Sequence, residues 1–90
     1  MAELAMPADI QIDIYSRPHC HLCDEAKAVI DRVRKRHAFA VRVINIEEDP
    51  ALESAYGTEI PVVFINGSKA FKYRVDEGEL EKKVKKLWKA

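Results

Sequence analysis

Two cysteines three positions apart, Cys20 and Cys23, lie where an alternating apolar run gives way to one with helical spacing, and the chain has no others. The stretch Arg17-Pro18-His19-Cys20-His21-Leu22-Cys23 therefore reads as a strand-to-helix junction. It delivers the first thiol to the start of a helix and brings the second under it, one turn in. The first turn of a helix carries N–H groups without intrahelical partners and the positive end of the macrodipole, and both stabilise an anion. Cys20 is expected to ionise more readily than a free thiol and to attack. Cys23, more covered, is expected to resolve the mixed disulfide. A larger thiolate fraction is offset in part by lower intrinsic nucleophilicity, so the net gain in attack rate is only a few-fold. The greater advantages are a good leaving group and a tethered second thiol at high effective concentration. Arg17, His19 and His21 favour the thiolate; Asp24 and Glu25 suit a helix start but oppose a thiolate nearby.

Ninety residues fit one domain with a small core, and 48% apolar with 33% charged residues is an ordinary globular composition. Fifteen basic side chains match fifteen acidic ones, without the basic excess of a nucleic-acid binder. No apolar run approaches the roughly 20 residues that cross a bilayer. Neither nucleic acid nor a membrane is therefore expected as a partner, and a monomer is. Met1 to Pro7 lacks the basic start and apolar core of an export signal, which makes the cytoplasm the expected location. There a paired Cys-x-x-Cys reads as redox or metal chemistry rather than a structural crosslink.

Residues 1–9 read as a tail and 10–90 as the domain. Ile10, Ile12 and Ile14 alternate with polar neighbours, which predicts a strand with one buried face. From Cys20 to about His37 the period is helical, with Leu22, Ala26, Val29 and Val33 as the apolar stripe and Arg32 to Arg36 as a solvated face. A second strand is predicted around 39–46. A helix separates the two strands, so they should pair in parallel. Asp49-Pro50 is an N-cap followed by proline at the first helical position, and Gly57 is placed to end that short helix. Ile60-Pro61-Val62-Val63-Phe64-Ile65 predicts a strand entered through proline, and Asn66-Gly67 a tight hairpin to a return strand over Ala70 to Tyr73. Asp76 to Glu79 has the form of a capping box. It opens a last helix, with Leu80, Val84, Leu87 and Trp88 on one side, that ends near Lys89.

The order β-α-β-α-β-β-α, with Cys-x-x-Cys at the first strand-to-helix junction, resembles the thioredoxin superfamily. Within it, the chain is most similar to small glutaredoxin-like proteins. Three stretches carry the resemblance: Tyr15 to Cys23 with the active-site run, Thr58-Glu59-Ile60-Pro61-Val62-Val63 with the proline loop, and Val63 to Gly67 with the strand and hairpin that follow. The likeness implies an α/β thioredoxin-like fold with a mixed four-stranded sheet and flanking helices. It also implies a cis Ile60-Pro61 bond close to Cys20, with the backbone of Ile60 pairing with a bound thiol substrate. His21-Leu22 stands where standard glutaredoxins have Pro-Tyr. Phe71-Lys72-Tyr73-Arg74-Val75-Asp76 stands where they have a glycine pair and an aspartate that hold glutathione. Asp76 is read first as a helix cap, and Arg17 as a residue able to serve a glutathione carboxylate.

The favoured reading is a thiol–disulfide oxidoreductase in cellular redox homeostasis and electron transport. Cys20 and Cys23 would be catalytic, and Arg17, His21, Ile60 and Pro61 would bind substrate. It would need no resident cofactor or metal. Its partner would be a disulfide-containing protein or a glutathione mixed disulfide, with glutathione as co-substrate. Two other readings stand beside it. One is a module holding zinc, copper(I) or part of an iron–sulfur cluster on Cys20, Cys23 and His19 or His21. The other is a thioredoxin-like interaction domain that does no catalysis.

Overall fold

A computed structural model of the protein describes residues 10–88. The tail expected over 1–9 lies outside the described residues, as do 89–90; the last helix, expected to end near Lys89, ends at Leu87. Four strands and three helices follow in the expected order: β1 (Gln11–Ser16), α1 (His21–Arg34), β2 (Ala40–Asn45), α2 (Pro50–Tyr56), β3 (Val62–Ile65), β4 (Ser68–Lys72) and α3 (Glu77–Leu87). A single 3₁₀ turn, Ile46–Glu48, joins β2 to α2. The sheet order is β2-β1-β3-β4, with β1 parallel to β2 and antiparallel to β3, and β3 antiparallel to β4.

Alternation along β1 divides its side chains between two layers. Ile10, Ile12 and Ile14 face a core completed by Val63 and Ile65 from β3, Ile30 and Val33 from α1, and Leu80 and Val84 from α3. Each such side chain, fully buried, contributes about 1.5–3 kcal/mol through the surface it removes from water. Tyr15, one residue out of phase, points to the opposite face. There it meets Tyr56 of α2 and Phe64 of β3, at ring-centroid distances of 4.8 and 5.4 Å. α1 and α3 thus cover one face, and α2 the other.

The buried stripe of α1 is Cys23, Ala26, Ile30 and Val33. Leu22 and Val29, expected at its centre, are only partly buried and flank it. The helix is rotated so that the second cysteine enters the core, which spacing alone did not reveal. The regular part of α1 also ends at Arg34, three residues before the predicted end. In α3, Leu80 and Val84 are buried, whereas Leu87 and Trp88, expected on the same side, are exposed at the helix end.

The Asn66-Gly67 turn has φ of 50° and 84°, the left-handed pair that a two-residue hairpin demands. Asn66 also laces the hairpin to the start of β1: its amide donates to the Gln11 carbonyl at 2.8 Å, and its Oδ1 accepts from the Gln11 amide at 2.7 Å. Opposite Val63 and Phe64 the register slips by one residue, which leaves Ala70 as the extra residue of a bulge in β4.

The basic run at the end of α1 is exposed, as expected, and part of it is paired with α3. Arg32 and Arg36 bond Glu77 at 2.9 and 3.0 Å, and Arg36 and His37 bond Glu81 at 3.1 and 2.8 Å. This network ties the end of α1 to the first turns of α3. The Arg36 and His37 hydrogen bonds hold the Glu81 carboxyl down at about 2, against an ordinary value of 4.5. A carboxyl depressed in the folded state stabilises above its unfolded value and loses that contribution as pH falls through the folded one. Acidification from about pH 4.5 towards 2 should therefore weaken the protein. Glu81→Gln, slightly less stable at neutral pH, should lose less over that window. Thermal melting of both proteins between pH 7 and pH 2.5 checks this; equal slopes would refute it.

Candidate active site

β1 ends at Ser16, and the chain turns through Arg17, Pro18 and His19 before α1 begins. His19 has φ of 60°, a left-handed conformation uncommon outside glycine, and it swings the chain so that Cys20 becomes the N-cap of α1. Cys20 is extended, and its sulfur accepts a hydrogen bond from the Cys23 amide at 3.1 Å. The sulfur thus does what a serine or aspartate does at most helix starts: it satisfies an orphan N–H. A thiolate would accept that bond more strongly than a thiol.

The two sulfurs are bonded to each other, with Cα atoms 5.1 Å apart. Their surroundings differ. Cys20 is partly exposed at the junction, while Cys23 is fully buried beneath it. His21 projects outward, its side chain 86% exposed, with Nε2 2.8 Å from the Glu25 carboxylate one turn along.

The proline loop reaches the same end of the sheet. Tyr15 pairs with Val62, so the end of β1 that leads to the cysteines lies beside the residue before Val62, which is Pro61. The Ile60–Pro61 bond is cis, as the resemblance implies. Pro61 is buried and Ile60 partly exposed. From the far side the loop is braced by Tyr73. The Tyr73 amide donates to the Pro61 carbonyl at 2.9 Å and to the Glu59 carbonyl at 3.3 Å, and its φ of 68° is again left-handed.

Arg17 turns away from the cysteines. Its Nη2 donates to Glu53 Oε1 at 2.5 Å and to the Gly57 carbonyl at 3.1 Å, mooring the loop to α2. Its Nε is buried without a hydrogen-bond partner among the described residues. Gly57 ends α2 as expected, as its C-cap, and does so with φ of −54° rather than by a left-handed turn. A Cβ there would lie 2.5 Å from the Glu53 carbonyl and 3.3 Å from the Arg17 guanidinium, so close approach is what requires glycine.

The structure thus gathers Cys20, Cys23 and His21 on the first turn of α1, with Ile60 and Pro61 at the same end of the sheet, and commits Arg17 to α2. Among the described residues no group of three or more His, Cys, Asp or Glu side chains is placed to hold a metal ion. Asp76 is the N-cap of α3, its Oδ2 accepting from the Glu79 amide at 2.8 Å. Sequence reasoning missed the bracing role of Tyr73. The one available signal was a tyrosine standing where the resemblance leads one to expect a glycine pair.

A dithiol at the mouth of a helix, next to a cis-proline loop on a mixed four-stranded sheet, defines a protein of the thioredoxin fold. Within that fold the chain belongs to the family described as "Glutaredoxin-like domain (DUF836)", whose profile matches residues 11–85. It is similar to a thioredoxin of Methanocaldococcus jannaschii, 34% identical over 65 residues, covering 69% of this chain and 76% of that one. Among solved structures, a protein of Nitrosomonas europaea matches with a TM-score of 0.76 and 27% identity, over 93% of this chain and 99% of that one. A mutant thioredoxin of Halobacterium salinarum shares the fold at a TM-score of 0.65 and 24% identity, over 92% of this chain and 78% of that one. Fold, family and cysteine pair together support a thiol–disulfide redox function. Among the described residues no helix is long and apolar enough to cross a membrane.

Proposed function

We propose that the protein is a thiol–disulfide oxidoreductase in which Cys20 attacks and Cys23 resolves. The observation that carries this reading is the unequal exposure of two bonded sulfurs, the outer one at a helix N-cap and the inner one fully buried. In the reduced protein the Cys20 thiolate attacks one sulfur of a substrate disulfide. A Cys20–substrate bond forms, the substrate S–S bond breaks, and the departing thiolate takes a proton. Cys23 then loses its proton and attacks the Cys20 sulfur, restoring the Cys20–Cys23 bond and releasing the second substrate thiol. Two electrons pass from the protein to the substrate, and the reverse sequence runs by the same steps. The partly exposed backbone of Ile60 offers the substrate a short strand-like pairing beside Cys20. His21 and Leu22, between the cysteines, border the attacked bond. The partner is a disulfide-bearing protein or a glutathione mixed disulfide, met in the cytoplasm by a monomer.

Titration of the Cys20–Cys23 pair against glutathione redox buffers tests the assignment. A reversible two-electron transition within the span of related dithiols, about −270 to −120 mV, is expected. A pair that stays oxidised or stays reduced across the whole titration would remove the basis for exchange.

A further inference from the structure

A groove of about 340 Å³ leads away from the cysteines between α1 and the segment that joins β4 to α3. Its lining includes Leu22, one of the two residues between the cysteines, and the apolar side of the lining includes Val29 and Phe71. Its rim carries the carboxylates of Glu25 and Asp76, with Arg74 as the lone cation among the lining residues. The α3 N-terminus nearby is no vacant anion seat. The Asp76 carboxylate already caps it, and Glu77 and Glu79 occupy its first turn.

Tyr73 forms part of the same lining. A bulky residue in the left-handed region is uncommon, and such residues cluster at ligand-contacting sites. Here the conformation holds Tyr73 against the proline loop through its amide while leaving the residue 44% exposed beside the groove. An exposed aromatic residue therefore lies on a groove that holds more acid than base and includes Leu22, the neighbour of Cys23.

Building on the oxidoreductase reading, we propose that this groove selects the substrate. It seats a large apolar side chain next to the reacting cysteine of a protein disulfide, with a basic neighbour on the Glu25 and Asp76 rim, and it disfavours glutathione. Glutathione brings two carboxylates and no apolar side chain to a rim with more acid than base. A peptide with leucine and lysine beside its cysteine covers the apolar side and pairs with the rim. Tyr73 and Glu25 are the specificity-determining residues.

The test uses the reduced full-length Cys23→Ser protein, in which Cys20 is the only thiol. It is mixed with a Leu-Cys-Lys peptide, a Ser-Cys-Glu peptide and glutathione, each activated as its thionitrobenzoate mixed disulfide. Cys20 attacks the peptide sulfur, the new S–S bond forms, and thionitrobenzoate leaves as a coloured anion. Rates are divided by those of free mercaptoethanol with the same reagents, which removes the intrinsic reactivity of each disulfide. The Leu-Cys-Lys peptide should react about tenfold faster than the other two. Adding Glu25→Lys should reverse the charge preference, and adding Tyr73→Gly should narrow the ratio to within about twofold. Equal normalised rates, or faster reaction with glutathione, would overturn the proposal. So would ratios unchanged by both substitutions. Because any accessible Cys20 thiol reports in this assay, a failure here is separate from failure of catalytic turnover, which would instead count against the oxidoreductase reading.

Discussion

Cys20→Ser should reduce disulfide turnover to the rate of the thiol reductant alone, while Cys23→Ser should stop the protein at one equivalent of mixed disulfide. The asymmetry follows from the site. A serine hydroxyl at residue 20 could still cap α1 as the sulfur does through the Cys23 amide at 3.1 Å, so the fold should survive. It has no sulfur to accept the bond from the substrate, and Cys23 is too buried to attack in its place. In Cys23→Ser the outer sulfur still attacks, but nothing beneath it can expel the substrate. Mass spectrometry after exposure to a model disulfide should find one adduct on Cys20 in Cys23→Ser and none in Cys20→Ser. Full turnover by Cys20→Ser, or an adduct on Cys23 when Cys20 is absent, would sink the assignment of roles.

Leu80→Ala should cost about 2–5 kcal/mol, the range for removing a large aliphatic side chain from a packed core. Leu80 is fully buried in the cluster where α3 meets α1 and the sheet, and a domain of this size has only about 5–15 kcal/mol to lose. At roughly 4–8 °C per kcal/mol, the expected fall in Tm is roughly 8–40 °C. Leu87→Ala is the matched control. Leu87 has the same side chain two turns later on the same helix but is exposed at its end, so its loss should stay within about 0.5 kcal/mol. Comparable losses from both would mean that α3 is packed differently.

Those two leucines mark where the sequence was readable and where it was not. Strand alternation in Ile10, Ile12 and Ile14, the Asp49-Pro50 start and the Asn66-Gly67 turn are local signals, and local signals place elements well. The positions of Cys20 and Pro61 were legible because strand, loop and helix follow one another there with little freedom. Facing is harder to read. A stripe of Leu22, Ala26, Val29 and Val33 and one of Cys23, Ala26, Ile30 and Val33 differ by a modest rotation about the helix axis. The sheet and α3, not the helix, decide between them. Leu87 and Trp88 continue the predicted spacing, but both are exposed and Trp88 lies past the end of the helix. The pairing of Arg32 and Arg36 with Glu77 and Glu81 joins residues more than forty apart, and so does the bond from His37 to Glu81. No spacing within one helix announces such partners. Tyr73 was hidden for a related reason: its left-handed backbone is imposed by the carbonyls of Glu59 and Pro61, not by its own preference.

β1, the strand that launches the cysteine loop, is flanked on both sides, by β2 and by β3. An outer strand can peel away without disturbing its neighbours, but β1 cannot leave without dismantling two ladders. Under the proposed mechanism, the sulfur that would meet one partner after another is carried by a strand held on both sides. A reaction cycle that repeatedly makes and breaks a bond at Cys20 pulls against an anchor shared by the whole sheet, and Cys23 returns each time to the same distance.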